Sequence, residues 1–388
     1  IGILIAPPVG TAEITNIQVL NGKIKHFTRR GIATQNVADL TIKKINVKCI
    51  GNRITFPDDD FGAGFYISST ARATLKCCTA ERVSTANGNS AGFAIVLCDN
   101  VTIFNSTASK IENLGGPASG FNFAISSNIL IQKCKAFCIQ TRSLNLTAGS
   151  HTCSGFIPLM SSFLRFEKCV AEDVRSECDD AHGFPVFICP TSIVLEHCIA
   201  KTVRSGFNHS TGTGAKANGF EIDITNNVTV SDCCASDIVA NHPEDKQCAG
   251  FSDGFCTNVS FIRCTSSDNR VIKSPMSSKD VLSYGFGWAP DPRPIFFGPS
   301  LNTKWIDCTS KNNDVGFGLF NHINGQLTGC KIVENRIGIF GGFPSLTISC
   351  HPCTECNPPI TTTILNGARN NNVSSNVFCH NKKDTLST

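Results

Sequence analysis

The chain is poor in charge. Only 16% of its 388 residues are Asp, Glu, Lys or Arg, and the 34 basic and 30 acidic side chains are scattered rather than grouped. Without a basic run to grip a phosphate backbone or an anionic membrane surface, nucleic acid is not an expected partner. Long apolar runs are missing as well. None reaches the roughly 20 residues that cross a bilayer as a helix, so no membrane span is expected. The opening "IGILIAPPVG" is too short for a signal peptide and lacks its basic flank. A chain that begins at Ile rather than Met still leaves room for an upstream segment since removed. Strong helix formers are scarce. In their place stand 27 Phe, 32 Gly and many Asn, Ser and Thr, the residues of short strands and tight turns. With 41% hydrophobic residues the composition is that of a folded chain with a substantial core, and it points to an all-β protein.

A repeat organises most of the length. Gly-Phe recurs at Gly64, Gly92, Gly120, Gly155, Gly183, Gly219, Gly250, Gly285 and Gly316, with a Gly-Ile variant at Gly338. After most of these pairs come a turn rich in Ser and Asn, a short alternating strand and a cysteine, as in "NILIQKCKAF", "FLRFEKCVAE", "SIVLEHCIAK" and "NVTVSDCCAS". Three short strands per unit, followed by a loop of variable length, describe coils stacked along an axis. Each strand then pairs with its counterpart one turn above and below, giving three long parallel sheets. In the Gly-Phe strand the Phe and the aliphatic residue two places on face inward by alternation, which predicts a column of Phe65, Phe93, Phe121, Phe156, Phe184, Phe220, Phe251, Phe286 and Phe317.

From about residue 14 to 350, these units resemble the right-handed parallel β-helix proteins of pectin-lyase-like type, including degenerate repeat proteins of bacteria and large DNA viruses. The resemblance implies a single right-handed β-helix of about eleven turns over residues 1–350, with 351–388 as a C-terminal cap or tail. It does not imply one activity, because lyases, hydrolases, epimerases, phage tailspikes and adhesins share this fold.

Twenty-two cysteines would announce disulfides in a secreted chain. Their placement argues otherwise. Cys49, Cys77, Cys134, Cys169, Cys198, Cys233, Cys264, Cys308 and Cys330 take one repeat position, where Ser106 substitutes once. A position shared by Cys and Ser calls for a small buried side chain, and a reduced ladder of thiols favours assembly in a reducing compartment. Later exposure on a surface or a virion is compatible with that, and sequons such as those at Asn105, Asn145 and Asn208 are available if the chain is secreted. A separate group, "CHPCTEC" with Cys379 and His380, admits three readings: zinc held by Cys353, Cys356, Cys379 and His380, a local disulfide, or inert thiols.

One Gly-Phe strand, "GFEID", carries two acids. Alternation aims Glu221 and Asp223 outward, about 6.5 to 7 Å apart along the strand; no other turn offers two acids there. The loop "RSECDDAHGF" adds Asp179, Asp180 and His182, and "RSGFNHSTGTGAKAN" adds Arg204, His209 and Lys216. The resemblance implies that a substrate groove runs over this sheet. Two close carboxylates drive their pKa values apart, which suits glycosidic cleavage, while a lyase would use a base with Ca²⁺ held by the acids. Asp180, His182, Glu221 and Asp223 are therefore the candidate catalytic or Ca²⁺ groups; a solvated pair of acids is the bland alternative. "ECDDAHGF" resembles the paired Asp and His-Gly of polygalacturonases, but the other motifs of those enzymes have no counterpart. Beside the acids, Ile157, Leu159, Pro185 and Phe187 form an outward apolar stripe, and Trp288 opens a Pro-rich insertion. Both invite coverage by a loop, a partner or a sugar ring.

The favoured expectation is a rigid scaffold that engages a polysaccharide or glycan, or a protein partner, through loops flanking the first sheet. Asp179, Arg204, His209, Lys216, Phe187 and Trp288 are its binding candidates, and a homotrimer is a further expectation. The alternative is a polysaccharide hydrolase or lyase.

Overall fold

In the computed structural model, residues 1–8, 11–52, 61–86, 88–142, 152–177, 179–206, 215–241, 248–272, 282–288, 299–319, 322–340, 348–350, 372–379, 381 and 383–386 are described. They contain strands and turns and no α-helix. Every strand pairing is parallel and joins neighbouring turns. In the first sheet, Asn89–Val96, Ala118–Ala124, Cys153–Leu159, Ala181–Phe187, Ala217–Asp223 and Cys248–Gly254 follow one another in register. The second sheet stacks strands such as Ser127–Gln132 and Ser162–Glu167, and the third stacks Lys135–Thr141 and Val170–Ser176. The protein is a parallel β-solenoid.

The expected phenylalanine column is present. Consecutive rings from Phe65 to Phe317 lie 4.6 to 4.8 Å apart with planes within 6° of parallel. That spacing equals the distance between paired strands, so register sets the ring separation, which falls at the close end of the range for stacked aromatic pairs. Each ring removed from water stabilises by about 1.5–3 kcal/mol. The phenylalanine column makes eight turn-to-turn steps, and the strand register continues beyond both of its ends. Its neighbours carry Ile, at Ile32 below and Ile339 above. Beyond Cys350, Asn372–Cys379 and Lys383–Leu386 still pair in parallel with the turn beneath.

Why glycine precedes each phenylalanine is steric. A Cβ on Gly219 would stand 2.8 Å from Ala235 Cβ and 2.6 Å from Gly250 O, and Gly155 would meet Ala171 Cβ at 2.5 Å. Glycine and phenylalanine thus both face the core, and strict alternation breaks at this pair. The residue before glycine consequently lies on the outer face: Ala91 packs with Ala94 in a cluster separate from the main core.

Corners follow one rule. A residue in the left-handed region turns the chain, and the next side chain points inward as a thiol or hydroxyl. At the corner between the second and third sheets the turning residues include Cys77, Asn105, Lys133, Lys168, His197 and Asp232, with φ between 47° and 54°. The inward residues are Cys78, Ser106, Cys134, Cys169, Cys198 and Cys233, all buried. Each inward Cys Sγ donates to nearby backbone carbonyls, such as Cys134 to Gln132 O at 3.3 Å, and the Cys198 amide donates to Cys233 Sγ at 3.3 Å. The ladder therefore exists, with two corrections. Cys78, not Cys77, is its member in that turn; Cys77 occupies the corner. Cys49 is also a left-handed residue (φ 56°), on the third sheet, and buried Ile45 holds the ladder place in its turn. A second internal column, Cys98, Ser126, Ser161, Cys189, Thr225 and Cys256, does the same work at the first corner.

Candidate functional site

The acid-bearing strand Ala217–Asp223 lies between Ala181–Phe187 and Cys248–Gly254. Phe220 and Ile222 join the core, which leaves Glu221 and Asp223 on the outer face as alternation predicts. Glu221 is nevertheless fully buried, whereas Asp223 is half-buried. Glu221 Oε2 lies 2.8 Å from Nδ1 of His182, itself buried. Lys216 Nζ reaches Glu221 Oε1 at 3.3 Å, and the Lys216 amide donates to Asp180 Oδ1 at 2.7 Å. His182 also meets the edge of Phe187, with ring centroids 6.0 Å apart and planes at 87°. The structure therefore brings Asp180, His182, Lys216, Glu221, Asp223 and Phe187 into one patch.

Its electrostatics separate the two acids. Burial alone would raise the pKa of Glu221, but the Lys216 charge and His182 outweigh it and hold the carboxyl well below the usual range. For Asp223 the Lys216 charge is too weak to offset the opposing effects. Burial, reinforced by the charge of Glu221, pushes it up to about 7. For Lys216, burial acts downward and is exceeded by the charges of Glu221, Asp180 and Asp223, so its pKa is raised. Near neutrality the patch thus holds a fixed carboxylate, a fixed ammonium and a carboxyl able to give or take a proton.

Other expectations are corrected. Glu221 is not part of a solvated acidic face, because neighbouring groups cover it completely. Arg204 sits on the third sheet, where its guanidinium donates to Asp237 at 3.0 Å; it does not reach the acids. Asp179 donates its amide to Ser176 Oγ at 3.0 Å. The backbone of Trp288 ends the strand Ser283–Trp288 and pairs with Leu319. His209, Cys353, Cys356 and His380 lie outside the described residues. Cys379 is disulfide-bonded, and a sulfur in that state offers no thiolate to zinc. Toward Ca²⁺ the acids fit poorly: Glu221 and Asp180 are turned to Lys216, and among the described residues no three His, Cys, Asp or Glu side chains converge as a metal site requires.

Two residues of the patch were not anticipated. Ser154 and Asn218 flank His182 in the column one turn below and one turn above. Ser154 Oγ and both side-chain polar atoms of Asn218 are buried without hydrogen-bond partners. Reading alternation straight through Gly-Phe places them in the core; only the break at glycine would have revealed them. A further buried acid, Asp253, replaces an aliphatic residue inside the solenoid, where Thr303 Oγ1 donates to it at 2.8 Å and His322 Nε2 lies 3.1 Å away.

No family model and no curated protein matches the sequence. Among solved structures, the chain resembles the surface adhesin PfbA of Streptococcus pneumoniae at 9% identity and a TM-score of 0.34, covering 100% of this chain and 85% of that one. A likeness this low says nothing of what the chain binds. No helix among the described residues is long and apolar enough to cross a membrane.

Proposed function

We propose that this protein is a rigid β-solenoid scaffold that binds carbohydrate on the outer face of its first sheet. Asp223, Lys216 and Phe187 are the contact groups, and His182, Glu221, Asn218 and Ser154 form the layer behind them. The observation that carries this reading is the half-buried Asp223, whose Oδ1 has no hydrogen-bond partner, on the face that also holds Lys216 and Phe187, with Ser154 Oγ and Asn218 Oδ1 and Nδ2 likewise unpartnered in the covered layer behind. Such atoms are rare in folded proteins and each costs about 1–3 kcal/mol. Sugar hydroxyls both donate and accept, and the half-buried Phe187 offers an aromatic edge beside them. Stiffness comes from the continuous core. Membership of the pectin-lyase-like superfamily belongs to this proposal, supported by the parallel coils with three ladders.

The test is titration of acidic and neutral glycans by calorimetry. Wild type binds at least one, and Asp223→Asn or Phe187→Ala weakens that binding about tenfold or more, the scale of losing a charge-assisted hydrogen bond or a ring contact. Failure of every glycan to bind would overturn the carbohydrate reading.

A second reading, cleavage of a polysaccharide, is favoured by the separation of Glu221 and Asp223 in proton affinity. Asp223 would then act as the acid or base. Absence of new reducing ends or unsaturated products from a polysaccharide panel would remove it.

A further inference from the structure

Where the chain leaves the first sheet, Leu97, Ile125, Met160, Ile188 and Ile224 take the same corner position on five successive turns. Each amide donates to the turn above: Leu97 to Ala124 O and Ile125 to Leu159 O at 3.0 Å, Met160 to Phe187 O at 3.3 Å, and Ile188 to Asp223 O at 3.1 Å. All five have positive φ, between 48° and 54°. That conformation disfavours every L side chain by about 1–2 kcal/mol and is a genuine outlier for β-branched isoleucine. These side chains are also in water, with relative exposures of 54%, 53%, 48%, 48% and 39% in that order.

Neither backbone nor solvent accounts for aliphatic residues here. The next corner of the same turns carries Asn105, Lys133, Lys168, His197 and Asp232 at similar φ, so the fold accepts polar side chains in this conformation. Phe163, 56% exposed and also left-handed, extends the strip from the position that holds Asn100 and Asn128 in the two turns below.

We propose that this edge is where copies of the chain associate side by side. Three observations select a second copy over another partner. From the exposures above, the six side chains offer roughly 600 Å² of apolar surface, close to the ~800 Å² that each partner gives to a stable interface. Val96, Leu159 and Phe187 adjoin them and are only partly buried. The rungs recur at the strand spacing of about 4.8 Å, a period that another copy of this solenoid reproduces over the full length, as an isologous contact requires. Charge is nearly absent: in the five turns, residues 94–100, 122–128, 157–163, 185–191 and 221–227 include no Lys or Arg, and their acids are Asp99, Asp223 and the buried Glu221. Two such faces meet without basic groups repelling one another, and they offer little to a partner recognised by charge.

Analytical ultracentrifugation over a wide concentration range tests this, with Ile125→Asn/Ile188→Asn as the variant, since asparagine tolerates the left-handed region. Wild type should sediment at an integral multiple of 41.6 kDa, and the double variant should weaken self-association at least tenfold while melting no lower. Ile199→Asn, altering an exposed isoleucine on the third sheet, should associate like wild type. A wild type that stays monomeric throughout, a double variant that associates unchanged, or equal loss with Ile199→Asn would each overturn the proposal. Phe187 adjoins this edge and is also a proposed glycan contact, so sedimentation is run without glycan and its outcome stands apart from the binding titration.

Discussion

His182 Nδ1 and Glu221 Oε2 lie 2.8 Å apart on adjacent turns, both side chains all but removed from water. With Lys216 on the other carboxylate oxygen, Glu221 is compensated from two sides. Removing its charge takes from Lys216 the largest of the carboxylate charges that compensate it, leaving Asp180 and Asp223. Glu221→Gln should therefore destabilise the fold by about 3–5 kcal/mol, the cost of breaking a buried pair, whereas Glu221→Met/Lys216→Met should recover most of the loss. Urea unfolding of the three proteins measures both.

Asp223 predicts a pH dependence of known sign. Its folded pKa of about 7 stands above the ordinary carboxylate value of 3.8, so the folded state holds the proton more tightly than the unfolded chain. The resulting stabilisation is complete below about pH 4 and is lost as pH rises through about 7. Asp223→Asn cannot ionise. Its melting temperature should match that of wild type at pH 4 and exceed it at pH 8, which differential scanning calorimetry will show.

Gly155→Ala places a Cβ 2.5 Å from Ala171 Cβ and 2.6 Å from Gly183 O. Two stacked turns must separate to admit it. A loss of about 1–3 kcal/mol is expected, as for overpacked cores. Denaturant titration checks this.

The doublet Cys77-Cys78 should react unequally with a thiol reagent. Cys77 is half-exposed at a corner, while Cys78 is buried and its thiol is pushed up to about 11 chiefly by burial. Mass spectrometry of briefly alkylated native protein should find label on Cys77 and leave Cys78 unmodified until denaturant is added. Label of similar extent on both would contradict the corner assignment.

Much of this fold is legible in the sequence, and the exceptions have physical causes. Period-two alternation is a local property of extended backbone, so the inward placement of Phe220 and the outward placement of Asp223 followed from neighbours in the chain. The same rule failed at Gly219, where two consecutive residues face the core and Asn218 is thrown outward. It also could not choose between adjacent cysteines: the inward one is whichever follows the left-handed residue, and Cys77 adopts that conformation without the letters announcing it. The second internal column is not legible in the sequence because Cys98, Ser126, Ser161 and Thr225 share a hydrogen-bonding role but no common letter.

By itself the order of residues determined that this chain coils, what repeats on each winding and which aromatic rings pile along the axis, because strand periodicity and turn chemistry act between close neighbours. Only the tertiary structure decided that Glu221 is sealed beside Lys216 and His182 while Asp223, two residues away, keeps a labile proton. Burial of an outward side chain depends on groups delivered from other turns, and no local pattern encodes how they meet.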